Sequence, residues 1–320
     1  MTNFKSVQIR SVGASVPETV MTNKDFEKFL DTSDEWIVTR TGIRERRILP
    51  KDTTVTNAEL GANAARIALD RAGISPETVD GIICATTTPD NFFPSTACEI
   101  QALLGCKHAF AFDCHAACAG FVYGLSIAQN FIRGGQAKTF LVIGAEIMSR
   151  SMDWTDRSTC ILFGDGAGAT VVQGTEEENT GVLSTHLAAD GTLGNILALP
   201  VWTGKRKLTM KGNEVFKHAV RLMSDISLKV LAEAGLSLDD IDYFIPHQAN
   251  IRIINAIGEF LKLPTEKVLV NLDRFGNTSS ASIPLVLNDA WNEGKLKKGT
   301  LVLFTALGGG LASGSAVVRF

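Results

Sequence analysis

The sequence predicts an α/β protein built from two similar halves, and three observations lead there. The same order of segments occurs twice. Asp242-Tyr-Phe-Ile-Pro246 repeats the place of Asp80-Gly-Ile-Ile-Cys84, Thr300-Leu-Val-Leu-Phe304 that of Thr139-Phe-Leu-Val-Ile143, and Gly314-Ser-Ala-Val-Val318 that of Gly168-Ala-Thr-Val-Val172. Short apolar runs alternate with segments of helical spacing, which is the pattern of strands and helices in turn. The 320 residues are 45% hydrophobic and 20% charged, with 29 glycines, a composition of compact α/β enzymes rather than of disordered or fibrous chains. The halves are placed at 1–174 and 175–320, joined in the charged stretch from Gly174 to Thr180.

Val7 to Gly13 reads as a strand, and Asn23 to Leu30 as a short helix opening at Thr22 or Asn23. Asn57 to Ala72 has helical spacing, Val79 to Ala85 is a buried strand, and Ser95 to Leu104 is a helix after Pro94. A strand follows at Thr139 to Gly144. The glycines of Ile161-Leu-Phe-Gly-Asp-Gly-Ala-Gly-Ala-Thr-Val-Val172 resemble a dinucleotide fingerprint only loosely. They read as a turn into a strand, because no strand-to-helix pattern surrounds them.

The net charge of −3 argues against a general nucleic-acid binder. Six cysteines lie scattered through apolar segments with no CxxC pair, so neither a zinc site nor a disulfide framework is indicated. The beginning of the chain lacks the apolar run of a signal peptide, and no stretch approaches the roughly 20 apolar residues that span a membrane. A reduced, cytoplasmic protein is expected.

Three polar residues fall at junctions between strands and helices, where open α/β sheets place their ligands. Cys118 sits among small residues, after an apolar strand end and before a helical segment with Phe121, Leu125 and Ala128 on one side. A free cysteine is commonly buried and inert, but a helix N-terminus favours the reactive thiolate and small neighbours admit a substrate. His247 follows the strand end Ile245-Pro246, where an imidazole can equally be structural. Counted back from the glycine that ends each following helix, Cys118 and Thr278 both lie sixteen positions earlier, which sets Asn277 near the thiol's counterpart. Near the start, Asp31-Thr-Ser-Asp-Glu-Trp36-Ile-Val-Thr-Arg40-Thr-Gly-Ile-Arg44-Glu-Arg46-Arg47 sets a tryptophan among four arginines. It is either a solvated charged face or a clamp for phosphates and a flat ring.

Ala-Ala-Cys118-Ala-Gly-Phe, Pro246-His247-Gln-Ala-Asn250-Ile-Arg252, Leu272-Asp-Arg-Phe-Gly-Asn277-Thr-Ser and Gly308-Gly-Gly-Leu-Ala-Ser-Gly-Ser-Ala together closely resemble β-ketoacyl-[acyl carrier protein] synthase III, over nearly the whole chain. The resemblance implies a thiolase-like fold, two duplicated halves layered α-β-α-β-α, in a homodimer. It implies the condensation that initiates bacterial-type fatty acid synthesis: an acyl group, acetyl first of all, passes from acyl-CoA to Cys118 and is condensed with malonyl-acyl carrier protein. It makes Cys118 the nucleophile, His247 and Asn277 the donors that hold the enolate, and the N–H groups of Cys118 and Gly309 the oxyanion hole. Trp36 and Arg157 would sandwich the adenine, with Thr32, Arg40, Gly212, Asn213, Phe216, Ala249 and Asn250 along the CoA channel. Lys217 and Gln248 to Arg252, including Ile251, resemble the surface that receives the carrier protein. No metal or redox cofactor is implied.

The chain departs from the family's pattern at several positions. Glu259 and Phe260 stand where relatives are often basic, and Leu307 where many carry phenylalanine. Less aromatic volume there raises the expectation of a starter larger than acetyl, while Phe93 resembles the aromatic that a partner subunit inserts to floor the acyl pocket. Alternatives are a synthase III-like acyltransferase of secondary metabolism, a hydroxymethylglutaryl-CoA synthase-like enzyme, or a non-catalytic acyl-CoA binder. A thiolase would need a second reactive cysteine near the C-terminal glycines, and none follows Cys160.

Overall fold

A computed structural model describes residues 4–201 and 207–320. The first half runs β1 (Ser6–Ser15), β2 (Val20–Thr22), α1 (Asn23–Glu27), α2 (Asp34–Thr41), β3 (Glu45–Arg47), α3 (Asn57–Ala72), β4 (Gly81–Ala85), α4 (Thr96–Leu104), β5 (Phe110–Cys114), α5 (Gly120–Arg133), β6 (Thr139–Ile147) and β7 (Asp165–Thr175). The second runs β8 (Gly181–Ala188), β9 (Leu197–Ala198), β10 (Thr209–Met210), α6 (Gly212–Glu233), β11 (Tyr243–Pro246), α7 (Ile251–Phe260), α8 (Leu272–Phe275), α9 (Ser282–Asn292), β12 (Leu301–Leu307) and β13 (Ser313–Arg319).

The main sheet has nine strands in the order β11-β12-β13-β8-β1-β7-β6-β4-β5, and the repeat is legible in it. In the first half β4 pairs in parallel with both β5 and β6, and β6–β7 and β7–β1 are antiparallel. In the second, β11–β12 is parallel and β12–β13 and β13–β8 are antiparallel. The partner that would match β5 has shrunk to one parallel bridge between Phe244 and Val268. Even a loop bond is duplicated. Asp80 accepts from the N–H of Thr139 at 2.9 Å, and Asp242 accepts from that of Leu301 at 2.8 Å.

Helices α3 and α4 cover the first half-sheet in one apolar cluster, and α6 and α7 cover the second in another. Between the half-sheets lie α5 and α9, whose apolar residues share a single cluster with strands of both halves. Five alternating layers result, and the two halves are one packed unit joined through the middle helices and the β1–β8 contact. Helix α5 is apolar nearly all round for that reason, with Phe121, Val122, Leu125, Ala128 and Ile132 fully buried.

One expectation changes. The turn before α5 has Ala117 at φ 46°, and the turn before α9 has Ser279 at φ 51°, each followed by a helix three residues on. The counterpart of Cys118 is therefore Ser280, two residues beyond the position obtained by counting from the glycines. Counting failed because α9 ends at Asn292 and is three residues shorter than α5.

Candidate active site

Cys118, His247 and Asn277 line one cavity of about 720 Å³, together with Trp36, Arg40, Arg157, Phe216, Leu307 and Gly309. Each of the three is set by backbone before its side chain matters. Cys118 lies in a single 3-10 turn, Ala117–Ala119, which enters α5 directly. His247 leaves the end of β11, its N–H donating to Thr305 O at 2.8 Å. Asn277 is clamped by two backbone bonds, donating from its N–H to Leu162 O at 2.8 Å and accepting from Gly164 N–H at 3.0 Å.

The side chains are oriented in turn. Asn277 Oδ1 accepts from the N–H of Ser279 at 2.8 Å, which leaves the Nδ2 donor for the cavity. His247 Nδ1 lies 2.6 Å from Ser282 Oγ, and Gln248 N–H donates to that Oγ at 3.4 Å. The short contact fits the tautomer in which the hydroxyl donates to Nδ1 and the ring carries its proton on Nε2. Burial holds the His247 pKa down at about 3, so the ring is neutral throughout the physiological range. A neutral Nε2–H beside an amide Nδ2–H is a pair of donors for a developing negative oxygen.

Burial opposes helix-end activation of the thiol. Burial pushes the Cys118 thiol up to about 12, with Ser279 opposing and the carboxylate of Glu146 adding to the rise. The resting group is a protonated thiol. Alkylation of Cys118 by iodoacetamide is expected to rise about tenfold per pH unit from pH 6 to 9 without levelling. A plateau near pH 7 would show that the end of α5 outweighs burial.

Gly308 brings a second chain segment onto the cysteine turn. A Cβ on Gly308 would lie 2.6 Å from Cys118 N and 2.7 Å from Ala117 Cβ. The backbone N–H of Cys118 bears on its own thiol, and Gly309 lines the same cavity as the sulfur.

At the cavity's cationic part, Arg40 and Arg157 both stack on the Trp36 ring, at 4.6 and 5.0 Å from its centroid. A flat ring inserted between Trp36 and Arg157 needs about 7 Å, two van der Waals layers, so Arg157 has to swing outward to form the expected sandwich. It is held by the carbonyl oxygen of Asp31, with the Asp31 carboxylate at 3.5 Å. Gly212, Asn213, Ala249, Asn250 and Arg252 line the same cavity. Thr32 does not, and its hydroxyl is buried with no hydrogen-bond partner among the described residues.

Other expected contacts fall elsewhere. Gln248 is fully buried, donating to Pro246 O and accepting from Asn271 N–H, so it supports the loop and cannot meet a carrier protein. Ile251 packs on Gly42 outside the cavity, and Lys217 is exposed on α6. Phe93 is 87% exposed, outside the cavity of its own chain. Of the arginines after Trp36, Arg46 is not on a charged surface at all but fully buried.

Sequence reasoning missed Glu146. It is fully buried and accepts from Thr86, Thr87, Thr88 and Ser280, tying the loop that carries cavity-lining Thr87 to the turn beside Asn277. The signal was a lone acidic residue near the end of the otherwise apolar run Phe140 to Ile147, a charge that needs built partners if buried.

Comparison with known proteins agrees with this arrangement. The family described as 3-Oxoacyl-[acyl-carrier-protein (ACP)] synthase III matches residues 112–191, and its C-terminal part matches 231–320. The β-ketoacyl-[acyl-carrier-protein] synthase III of Xanthomonas campestris is 50% identical, with 98% of each chain covered. A crystal structure of 3-oxoacyl-[acyl-carrier-protein] synthase III from Aquifex aeolicus superposes with a TM-score of 0.94 at 50% identity, covering 98% of this chain and 100% of that one. The priming β-ketosynthase of the R1128 polyketide pathway also reaches a TM-score of 0.94, at 34% identity and covering 100% and 98%. On its sequence and on its thiolase-like, five-layered fold, this chain belongs to the 3-oxoacyl-[acyl-carrier-protein] synthase III family.

Proposed function

We propose that the protein is the condensing enzyme that initiates type II fatty acid synthesis, joining an acyl group from acyl-CoA to malonyl-acyl carrier protein. The observation that carries this reading is one cavity holding a thiol, two oriented neutral donors and a tryptophan flanked by arginines. The synthase III of Xanthomonas campestris and that of Aquifex aeolicus each share about 50% identity with the chain, against 34% for the polyketide priming enzyme, which favours fatty acid over secondary metabolism.

In this reading the Cys118 sulfur attacks the thioester carbonyl, its proton passes to the departing CoA sulfur, and the acyl group stays on the enzyme. The N–H groups of Cys118 and Gly309 hold the oxyanion. Malonyl-carrier then loses carbon dioxide, and the enolate oxygen is met by His247 Nε2–H and Asn277 Nδ2–H. The enolate carbon attacks the acyl-cysteine, the thiolate leaves and takes one proton from solvent to restore the thiol, and 3-oxoacyl-carrier is released. Electrons and atoms balance without a metal or redox cofactor, which is part of the proposal.

The carrier protein is proposed to meet Arg252, which lines the cavity, and the exposed Lys217 of α6, cations suited to an acidic partner. A homodimer is proposed from the open edge of β5, where Phe110 is 39% exposed, and from the protruding Phe93. Six free cysteines and the lack, among the described residues, of any helix able to cross a membrane are consistent with a cytoplasmic setting.

The test is condensation with malonyl-carrier, supplying acetyl-, isobutyryl- or octanoyl-CoA as starter. Acetyl is expected to turn over, and a branched starter to fall within about tenfold of it because Leu307 lines the cavity where an aromatic would fill it. Absence of 3-oxoacyl-carrier product with every starter would overturn the reading.

A further inference from the structure

We propose that Arg46 is a positioning residue for the decarboxylation and condensation half of the reaction, acting by fixing the segment against which Asn277 is set. The inference rests on the reading given under Proposed function. Arg46 is the inward residue of the three-residue strand β3 and is fully buried. It makes no ion pair in direct contact among the described residues; its immediate partners are dipoles and an aromatic face, with the carboxylates of Asp25 and Glu45 acting from farther away. Nη1 donates to Asn23 Oδ1 at 2.8 Å and to Met21 O at 3.3 Å, Nη2 donates to Ile161 O at 2.5 Å, and the guanidinium lies 4.6 Å from the Phe26 ring centroid. A buried cation without a carboxylate in contact weakens a fold relative to an apolar side chain of like size. Stability alone therefore gives little reason for an arginine here.

What the guanidinium holds is the start of the 161–164 segment. Leu162 O accepts from Asn277 N–H and Gly164 N–H donates to Asn277 O, a bridge that fixes the backbone of the amide. The side-chain stem works at the same place. A Cβ on Gly164 would stand 2.3 Å from Phe275 O and 3.2 Å from Arg46 Cβ, and one on Gly276 2.8 Å from Leu162 O and 3.4 Å from Arg46 Cβ. Gly276 has φ 63° and ψ −156°, a conformation open to glycine. The two strands of backbone thus close on each other over the stem of Arg46, and its charged end ties Ile161 with a strong, charge-assisted bond.

Cys118 is held by other contacts, the 3-10 turn into α5 and the close approach of Gly308. Loss of Arg46 should therefore disturb the enolate donor and spare the nucleophile. Asn23 keeps its own donors to Asp34 Oδ1 and Ile43 O when Arg46 is replaced, so α2 with Trp36 stays anchored.

The test measures the two half-reactions separately in the full-length protein, at saturating acetyl-CoA and well below each variant's melting midpoint. Acylation of Cys118 is followed by quenched intact mass, and decarboxylation by carbon dioxide release from malonyl-carrier on the acylated enzyme. Arg46→Lys, which keeps charge and most volume, is expected to acylate within about threefold of wild type and to release carbon dioxide about 10- to 100-fold more slowly. Gly164→Ala, which wedges the same contact from the other side, is expected to show the same split. Equal slowing of both steps, or of neither, would overturn the positioning role. Wild type that fails to acylate would instead overturn the functional reading on which it rests.

Discussion

Gly308→Ala is expected to slow acyl transfer to Cys118 by about 10²- to 10³-fold, the loss typical of an oxyanion site deprived of a donor, or about 3–4 kcal/mol of barrier. Gly308 has φ −128° and ψ −179°, an extended conformation that alanine adopts without strain. The backbone does not demand glycine there. Space does, because the added methyl would occupy a point 2.6 Å from the Cys118 nitrogen, the donor that the proposed mechanism assigns to the oxyanion. Single-turnover acylation with acetyl-CoA checks this. Unchanged acylation would mean that the N–H of Cys118 is not part of the oxyanion hole.

The second large effect separates the donors from the nucleophile. His247→Ala is expected to leave the acyl-enzyme forming within a few fold of wild type and to cut carbon dioxide release by about 10²-fold or more, since the neutral Nε2–H is offered to the enolate alone. Because the ring's pKa is lowered to about 3, that step is expected to show no loss of rate as pH falls from 8 to 5 through protonation of His247. Decarboxylation by His247→Ala at the wild-type rate, or a wild-type profile that drops with a midpoint near 6.5, would remove the imidazole from this role.

Much of the fold was legible in the sequence for local reasons. The helix read from Asn57 to Ala72 has those limits because Thr56 and Glu59 form a capping box and Gly73 ends it in the left-handed region. The strand read from Val79 begins only at Gly81, because Pro76–Thr78 forms a 3-10 turn just before it, while Asp80 caps the strand start with side-chain bonds to Lys138 and Thr139. The positions of Cys118 and His247 at strand-to-helix junctions were legible too, whereas Asn277 follows the short helix α8 and precedes the turn into α9, tied to the first half by one isolated bridge to Phe163. The surroundings of all three were not legible.

The residues that escaped are charges turned inward by the fold. Arg44, Glu45, Arg46 and Arg47 read alike in a linear charged run, yet the pleat of β3 buries only Arg46, since alternate side chains of a strand face opposite ways. Glu146 lies where the loop after β4 and the turn before α9 converge, a meeting of segments far apart in sequence. The thiol's surroundings divide in the same way. A helix N-terminus is visible locally, whereas desolvation depends on how closely Gly308 and the second half pack around the sulfur.

The most direct measurement is intact-protein mass after mixing wild type and Cys118→Ala with acetyl-CoA, side by side with isobutyryl- and octanoyl-CoA. A mass increase of one acyl group on wild type, absent from Cys118→Ala, is the expected result. No adduct on wild type with any of the three, or an adduct that persists without the thiol, would contradict covalent catalysis at Cys118.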